Sequence, residues 1–140
     1  MSIQYCNEDV SIPKFQKRKI TSWIKETIAL EKKKPGDISF IFCSDNYLLD
    51  VNRQYLKHDY FTDIITFDYV EGDVISGDIF ISCDRVRENA TEFKTVFDNE
   101  LFRIIIHGVL HLLGYKDKSK KDKLLMTEKE NYYLEVLSNS

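Results

Sequence analysis

The sequence predicts an α+β fold, a small mixed β-sheet packed with helices, and two patterns support this. Apolar residues alternate at Ile38, Phe40 and Phe42, as in a strand, whereas over 97–113 they recur every three or four positions, as in a buried helix face. The chain has 140 residues, of which 43% are hydrophobic, and this is enough for one sizeable core. We therefore expect a single domain over 1–140.

The predicted elements follow in chain order. We expect a strand over 3–6, an amphipathic helix with its apolar face between Phe15 and Ile28, a strand over 38–42, and a helix capped by Ser44 or Asp45 that runs to about Leu56. The pair Pro35-Gly36 is expected to end the first helix. Two strands over 64–69 and 77–82, as a hairpin or a neighbouring pair, precede helices over 84–93, 97–113 and 120–137.

Charge and hydropathy exclude several classes of protein. The net charge of −3 argues against a protein that coats nucleic acid nonspecifically. No apolar run approaches the length of a membrane span, and the polar start of the chain lacks a signal-peptide pattern. We therefore expect a cytoplasmic protein with no membrane partner.

The segment 107–117 carries the pattern of a metal site on a helix and the turn that follows it. His107 and His111 are four positions apart, so both rings can face one ion from the same side of a helix. Gly114 predicts a left-handed helix stop, after which the chain returns Asp117 as a third ligand. Three protein ligands leave a free coordination position, as in catalytic zinc sites.

Two further residues of this helix bear on the chemistry. Glu100 lies seven residues before His107, almost at the same angle, so it could accept a ring N–H, although a solvated helix residue explains it equally well. The residue after His107 is Gly108 where His-Glu-x-x-His peptidases carry their glutamate base. This excludes peptide hydrolysis by that route, and we expect the missing side chain to open space beside the ion for a phosphodiester.

The same segment resembles the signature of the YbeY family of bacterial ribosomal-RNA maturation endoribonucleases, His-Gly-x-Leu-His-Leu-x-Gly-Tyr followed by an acid and a third histidine. The match runs from His107 to Tyr115, and weaker blocks at 52–67 and 77–82 extend the resemblance over roughly 37–137. The resemblance implies a metal-dependent enzyme that cleaves single-stranded RNA during ribosomal-RNA processing.

The chain departs from the family pattern at two positions. The third histidine is replaced by Asp117, which zinc accepts but which also suits manganese or iron. In the block at 52–67, the arginine that usually follows the tyrosine is replaced by Leu56. Arg53 and Lys57, which lie nearby, are candidate RNA contacts.

The distribution of charge suggests a second place for RNA. Residues 116–123 hold five lysines against two aspartates, beside the predicted third ligand. Of these lysines, Lys118, Lys120 and Lys121 are candidate contacts for a phosphate backbone, while a solvated loop is the equally weighted alternative.

We interpret the sequence as a zinc endoribonuclease with one ion per chain, other divalent transition metals being possible, that acts on a ribosomal-RNA precursor and has the small ribosomal subunit as a possible partner. The pattern identifies no general base. The alternatives are another metallohydrolase, an iron oxygenase with a two-histidine, one-carboxylate site, or a ribosome-associated binding protein with a structural ion.

Overall fold

The computed structural model describes residues 2–140 as a four-stranded sheet and five helices. In chain order the elements are β1 (Ile3–Asn7), α1 (Lys17–Leu30), β2 (Lys34–Cys43), α2 (Asp45–Leu56), β3 (Ile64–Asp68), β4 (Val74–Ser82), α3 (Cys83–Glu92), α4 (Phe97–Leu112) and α5 (Lys120–Ser138). The α+β prediction is confirmed.

The sheet is mixed, with strand order β1-β2-β4-β3. Strands β1, β2 and β4 are parallel, and β3 lies antiparallel to β4 at the edge, where Phe67 is opposite Asp78. The two strands expected as a hairpin or neighbouring pair are therefore neighbours.

The expectation that Pro35-Gly36 ends the first helix is wrong. Helix α1 stops at Leu30, and Lys32 takes a positive φ of 63° before the chain enters β2. Pro35 and Gly36 lie inside β2, where the pairing with β4 changes register between Pro35 and Ile38. The irregular register accommodates a proline that cannot donate a ladder hydrogen bond.

Helix α4 lies at the centre of the main core. Together with α1 it packs on the sheet face formed by alternate residues of β2 and β4, namely Ile38, Phe40, Phe42, Ile75, Ile79 and Ile81, and α5 packs on α4. Helix α2 covers the opposite face, where Leu48 and Val51 meet Ile65. Because α4 is held between sheet and helices, the side chains at its C-terminal end have fixed positions.

Serine side chains cap three of the helices. Ser44, Ser82 and Ser119 each accept a hydrogen bond from a backbone N–H in the first turn of α2, α3 and α5, respectively. Among residues 2–140 no helix is both long and apolar enough to span a bilayer.

Candidate metal centre

Two half-buried histidines lie one turn apart near the end of α4. The exposed fractions of the His107 and His111 side chains are 19% and 24%. Their ring centroids are 4.5 Å apart, with the ring planes at 83°. The neighbouring apolar residues of α4 are buried, so the two rings emerge at the edge of the core.

The turn after α4 brings a carboxylate back to these rings. Gly114 has a φ of 104°, and the N–H groups of Gly114 and Tyr115 donate to the carbonyls of His111 and Leu110, each at 3.0 Å. This is a Schellman motif, in which a glycine supplies the left-handed residue that ends the helix. The prediction of a helix stop at Gly114 is confirmed. Beyond the turn, Asp117 Oδ2 lies 3.3 Å from His107 Nε2 and 3.4 Å from His111 Nε2.

The three donors fit one divalent ion. One ligand atom from each of His107, His111 and Asp117 lies within 4.8 Å of the others. Tetrahedral bonds of about 2.0 Å require neighbouring ligand atoms to be about 3.3 Å apart. The nitrogen-to-oxygen distances of 3.3 and 3.4 Å match this requirement.

Each imidazole uses its Nδ1 atom to contact a fixed acceptor. His111 Nδ1 donates to the backbone carbonyl of Tyr115 at 3.0 Å, since a carbonyl oxygen can only accept. His107 Nδ1 lies 2.6 Å from Glu130 Oε2 on α5. Both Nε2 atoms therefore remain directed at Asp117, which is the orientation that metal-ligating histidines need.

The electrostatics of the site separate the two rings. Burial lowers the pKa of His107, but the hydrogen bond to Glu130 and the charges of Glu130 and Asp117 outweigh burial, so its pKa lies above the ordinary value. Burial and the neighbouring charge of His107 hold the pKa of His111 below the ordinary value. For the acid Asp63, which faces the charges of His107 and Asp117, burial has the opposite effect and raises the pKa above the ordinary value.

The carboxylate that contacts His107 is one that the sequence pattern did not reveal. Glu130 lies 23 residues after His107 and is 7% exposed, and its second oxygen accepts a hydrogen bond from Arg103 at 2.8 Å. Glu100, which the sequence suggested as the acceptor for a ring N–H of His107, lines a cavity of about 200 Å³ together with Arg103, His107 and Glu130. The role of Glu100 stays a prediction. The signal for Glu130 was a carboxylate in the apolar stripe of α5, four residues after Met126.

Gly108 has a different role from the one expected. It is buried against the sheet, and a Cβ atom there would lie 2.9 Å from Ile79 Cγ2 and 3.0 Å from Ile64 Cδ1. The expectation that the missing side chain opens space beside the ion is wrong. The glycine instead allows α4 to approach the sheet closely, and this approach positions both histidines.

The turn that carries Asp117 is anchored to Glu31, the residue that follows α1. The Tyr115 hydroxyl donates to Glu31 Oε1 at 2.5 Å, while Tyr133 and Lys129 of α5 donate to the other oxygen of Glu31. Burial raises the pKa of Glu31, but these hydrogen bonds outweigh it and hold the pKa below the ordinary value. Tyr115 therefore links His111, through its carbonyl, to Glu31, through its hydroxyl.

The candidate RNA contacts lie on the surface. Arg53 is exposed, and it pairs with Asp59 at 2.5 Å and with Asp50 at 3.8 Å, which offsets its charge. Lys57 is also exposed and ends α2 in the left-handed conformation, beside Leu56, which is 38% exposed. Lys118, Lys120 and Lys121 are all exposed in the turn and the first residues of α5.

Comparison with known proteins identifies a protein family that the chain matches. The family model described as endoribonuclease YbeY matches residues 2–138. Relatives with that name include a protein of Parabacteroides distasonis, 54% identical over 137 residues that cover 98% of this chain and 96% of the relative. A second, from Flavobacterium psychrophilum, is 55% identical over 125 residues, covering 87% of this chain and 89% of the relative.

A solved structure shares the fold. The solution structure of TM1509 from Thermotoga maritima has 31% sequence identity and a TM-score of 0.70, and the match covers 97% of this chain and 89% of that one. The fold and the site together define a small α+β protein with three side chains that could hold one metal ion. The extent of the family match is decisive, and the chain belongs to the YbeY endoribonuclease family.

Proposed function

We propose that the protein is a single-domain, metal-dependent endoribonuclease, specific for single strands, that acts in ribosomal-RNA maturation and ribosome quality control. One observation carries the proposal: His107, His111 and Asp117 place three ligand atoms within 4.8 Å of one another in a chain of this family. Endoribonuclease activity makes the protein a hydrolase with RNA as its substrate.

The donor set favours zinc, at one ion per chain. Two imidazole nitrogens and one carboxylate oxygen suit zinc, and three protein ligands leave a coordination position for water or substrate. The single carboxylate keeps manganese or iron admissible. When bound, such an ion polarises a phosphoryl oxygen and lowers the pKa of its water toward about 7.

The chain's own residues bind and orient the RNA around this centre. Lys118 follows the third ligand directly, and Lys120 and Lys121 continue the positive charge into α5. All three are exposed, so they can neutralise phosphates on either side of the cleaved bond. The proposal places the protein in the cytoplasm, with a ribosomal-RNA precursor as its substrate and the small ribosomal subunit as its partner.

The test compares two substrate classes in the presence and absence of a chelator. The zinc-loaded protein should cleave a single-stranded fragment of a ribosomal-RNA precursor and leave an unfolded protein intact, because Gly108 supplies no peptidase base. Cleavage should stop on chelation and return when zinc is restored. Chelation that lowers the melting temperature, in a protein that never cleaves RNA, would instead support a structural ion in a binding protein.

The lysine assignment has its own test. Replacing Lys118, Lys120 and Lys121 together by glutamine should weaken RNA binding and flatten its salt dependence, because fewer counterions are released. An unchanged slope of affinity against salt would show that these lysines are only solvated. Triple replacement of the exposed lysines Lys14, Lys17 and Lys25 is a control with the same change in charge.

A further inference from the structure

A row of charged side chains joins α4 to α5 behind the candidate metal centre. Arg103 Nη1 donates to Glu130 Oε1 at 2.8 Å, and Arg103 Nη2 donates to Asn131 Oδ1, also at 2.8 Å. The other oxygen of Glu130 lies 2.6 Å from His107 Nδ1. Glu130 is only 7% exposed, so its carboxylate has exchanged water for these two partners.

We propose that Arg103 and Glu130 are positioning residues that hold the His107 ring with its proton on Nδ1 and its lone pair on Nε2. The inference rests on the proposed function, because it concerns how a metal ligand is prepared. It adds to the proposed function two residues outside the set of three ligands and gives each a chemical task.

The task of Glu130 follows from which atoms can donate. A neutral imidazole carries one N–H, and an ionised carboxylate can only accept, so the proton belongs on the nitrogen that faces Glu130. The lone pair is then on Nε2, the atom 3.3 Å from Asp117 Oδ2. In His111 the backbone carbonyl of Tyr115 accepts from Nδ1 and fixes the tautomer. Of the two histidines, only His107 therefore depends on a side chain for its tautomer.

The task of Arg103 is to fix the direction of the carboxylate. A guanidinium has donors and no acceptor, and its two nitrogens contact Glu130 and Asn131 at once. Partners of this kind behind a metal-binding histidine typically change metal affinity by about 10- to 100-fold. We therefore expect an effect of that size when the arrangement is reversed.

Glu130→Gln reverses the arrangement without changing the volume of the side chain. Arg103 can only donate, so the amide oxygen must face Arg103 and the amide NH₂ must face His107 Nδ1. Nδ1 then has to accept, and the proton moves to Nε2. The ring keeps its place but no longer offers a lone pair toward Asp117.

The experiment records ¹⁵N spectra of histidine-labelled, metal-free protein at a pH where the His107 ring is neutral, and zinc titrations of the same samples. The wild type should show the Nδ1–H form of His107, and Glu130→Gln the Nε2–H form with a loss of zinc affinity of about 10- to 100-fold. Glu128→Gln, on the exposed side of the same helix, is the matched control and should match the wild type.

A second variant separates positioning from a merely structural contact. In the double variant Arg103→Met, Glu130→Gln, the amide is free to turn its oxygen toward His107, so the Nδ1–H form and most of the wild-type zinc affinity should return. A salt bridge that only holds α4 to α5 predicts the opposite, a further decrease. The free energy of unfolding of each metal-free variant is measured alongside.

Three results would overturn the proposal: a wild-type His107 with its proton on Nε2, a Glu130→Gln variant with wild-type zinc affinity, or a double variant that binds zinc no better than the single one. The first of these results is measured on the wild type, so it does not depend on any variant folding. A wild-type protein that shows the Nδ1–H form but binds no zinc would contradict the proposed function and leave the positioning of His107 intact.

Discussion

Removing the hydroxyl group of Tyr115 should loosen the turn that carries Asp117. In Tyr115→Phe the ring and the backbone carbonyl that accepts from His111 both remain. The substitution removes the hydrogen bond that the hydroxyl donates to Glu31 Oε1 at 2.5 Å, together with the contact between the hydroxyl and Lys129. The variant therefore tests the attachment of the turn to Glu31, which follows α1, and to Lys129 of α5.

The size of the effect follows from the partners that remain. A hydrogen bond to a charged group contributes about 1.5–3 kcal/mol. Glu31 keeps Tyr133 and Lys129, so its carboxylate is not left unpaired, and the cost lies at the low end, about 1.5–2 kcal/mol. At about 4 °C per kcal/mol for a domain of this size, the melting temperature should fall by roughly 6–8 °C.

The assay is thermal and urea unfolding of the metal-free protein, followed by zinc titration. Tyr132→Phe makes the same chemical change at a side chain that is 54% exposed and should leave stability unchanged. Zinc affinity of Tyr115→Phe should fall modestly, because Asp117 is held less firmly. Equal melting temperatures for the two variants would refute the view that the hydrogen bond to Glu31 anchors the turn.

Three further perturbations test other parts of the structure. Asp117→Ala should remove most of the bound metal and abolish RNA cleavage, whereas Asp117→His should retain the ion. The control Asp122→Ala, in the first turn of α5, should keep the metal and lower stability by only about 1 kcal/mol. Elemental analysis in which the metal content follows Asp122 and not Asp117 would contradict the assignment. The pKa of Glu31 is lowered in the fold, so its contribution is present above the ordinary value of 4.5 and is lost as the pH falls through the lowered pKa. The stability advantage of wild type over Glu31→Gln, measured by urea unfolding, should therefore shrink in that acid range, and a constant advantage would refute it. Gly108→Ala should lower the free energy of unfolding. A Cβ atom 2.9 Å from Ile79 Cγ2 costs about 1–3 kcal/mol by overpacking, whereas the higher helix propensity of alanine returns only about 1 kcal/mol. A more stable variant would show that the sheet residues shift at little cost to make room for the methyl group.

The parts of the site that depend on short-range geometry were predictable from the sequence. His107 and His111 are one helical turn apart whatever the helix packs against, and Gly114 ends that helix by its own backbone preference. The serine cap at Ser44 and the alternation over 38–42 are equally local. Local rules therefore placed the helices, the strands and the turn.

The parts that depend on tertiary packing were not predictable in the same way. Glu130 reaches His107 only because α5 packs on α4, and nothing in the spacing along the chain required it. Gly108 was interpreted from its neighbours in sequence, although its contacts are on the sheet. Pro35 reads as a helix breaker, but pairing with β4 draws it into a strand.

The central claim is that one metal ion is held by these side chains and that RNA cleavage depends on it. The most direct measurement is metal content per chain by elemental mass spectrometry, with RNA cleavage assayed on the same samples. The wild type and His58→Ala, which removes the exposed histidine outside the site, should each carry about one ion per chain. The double variant His107→Ala, His111→Ala should carry almost none and cleave no RNA. A double variant with full metal content and undiminished cleavage would contradict the account.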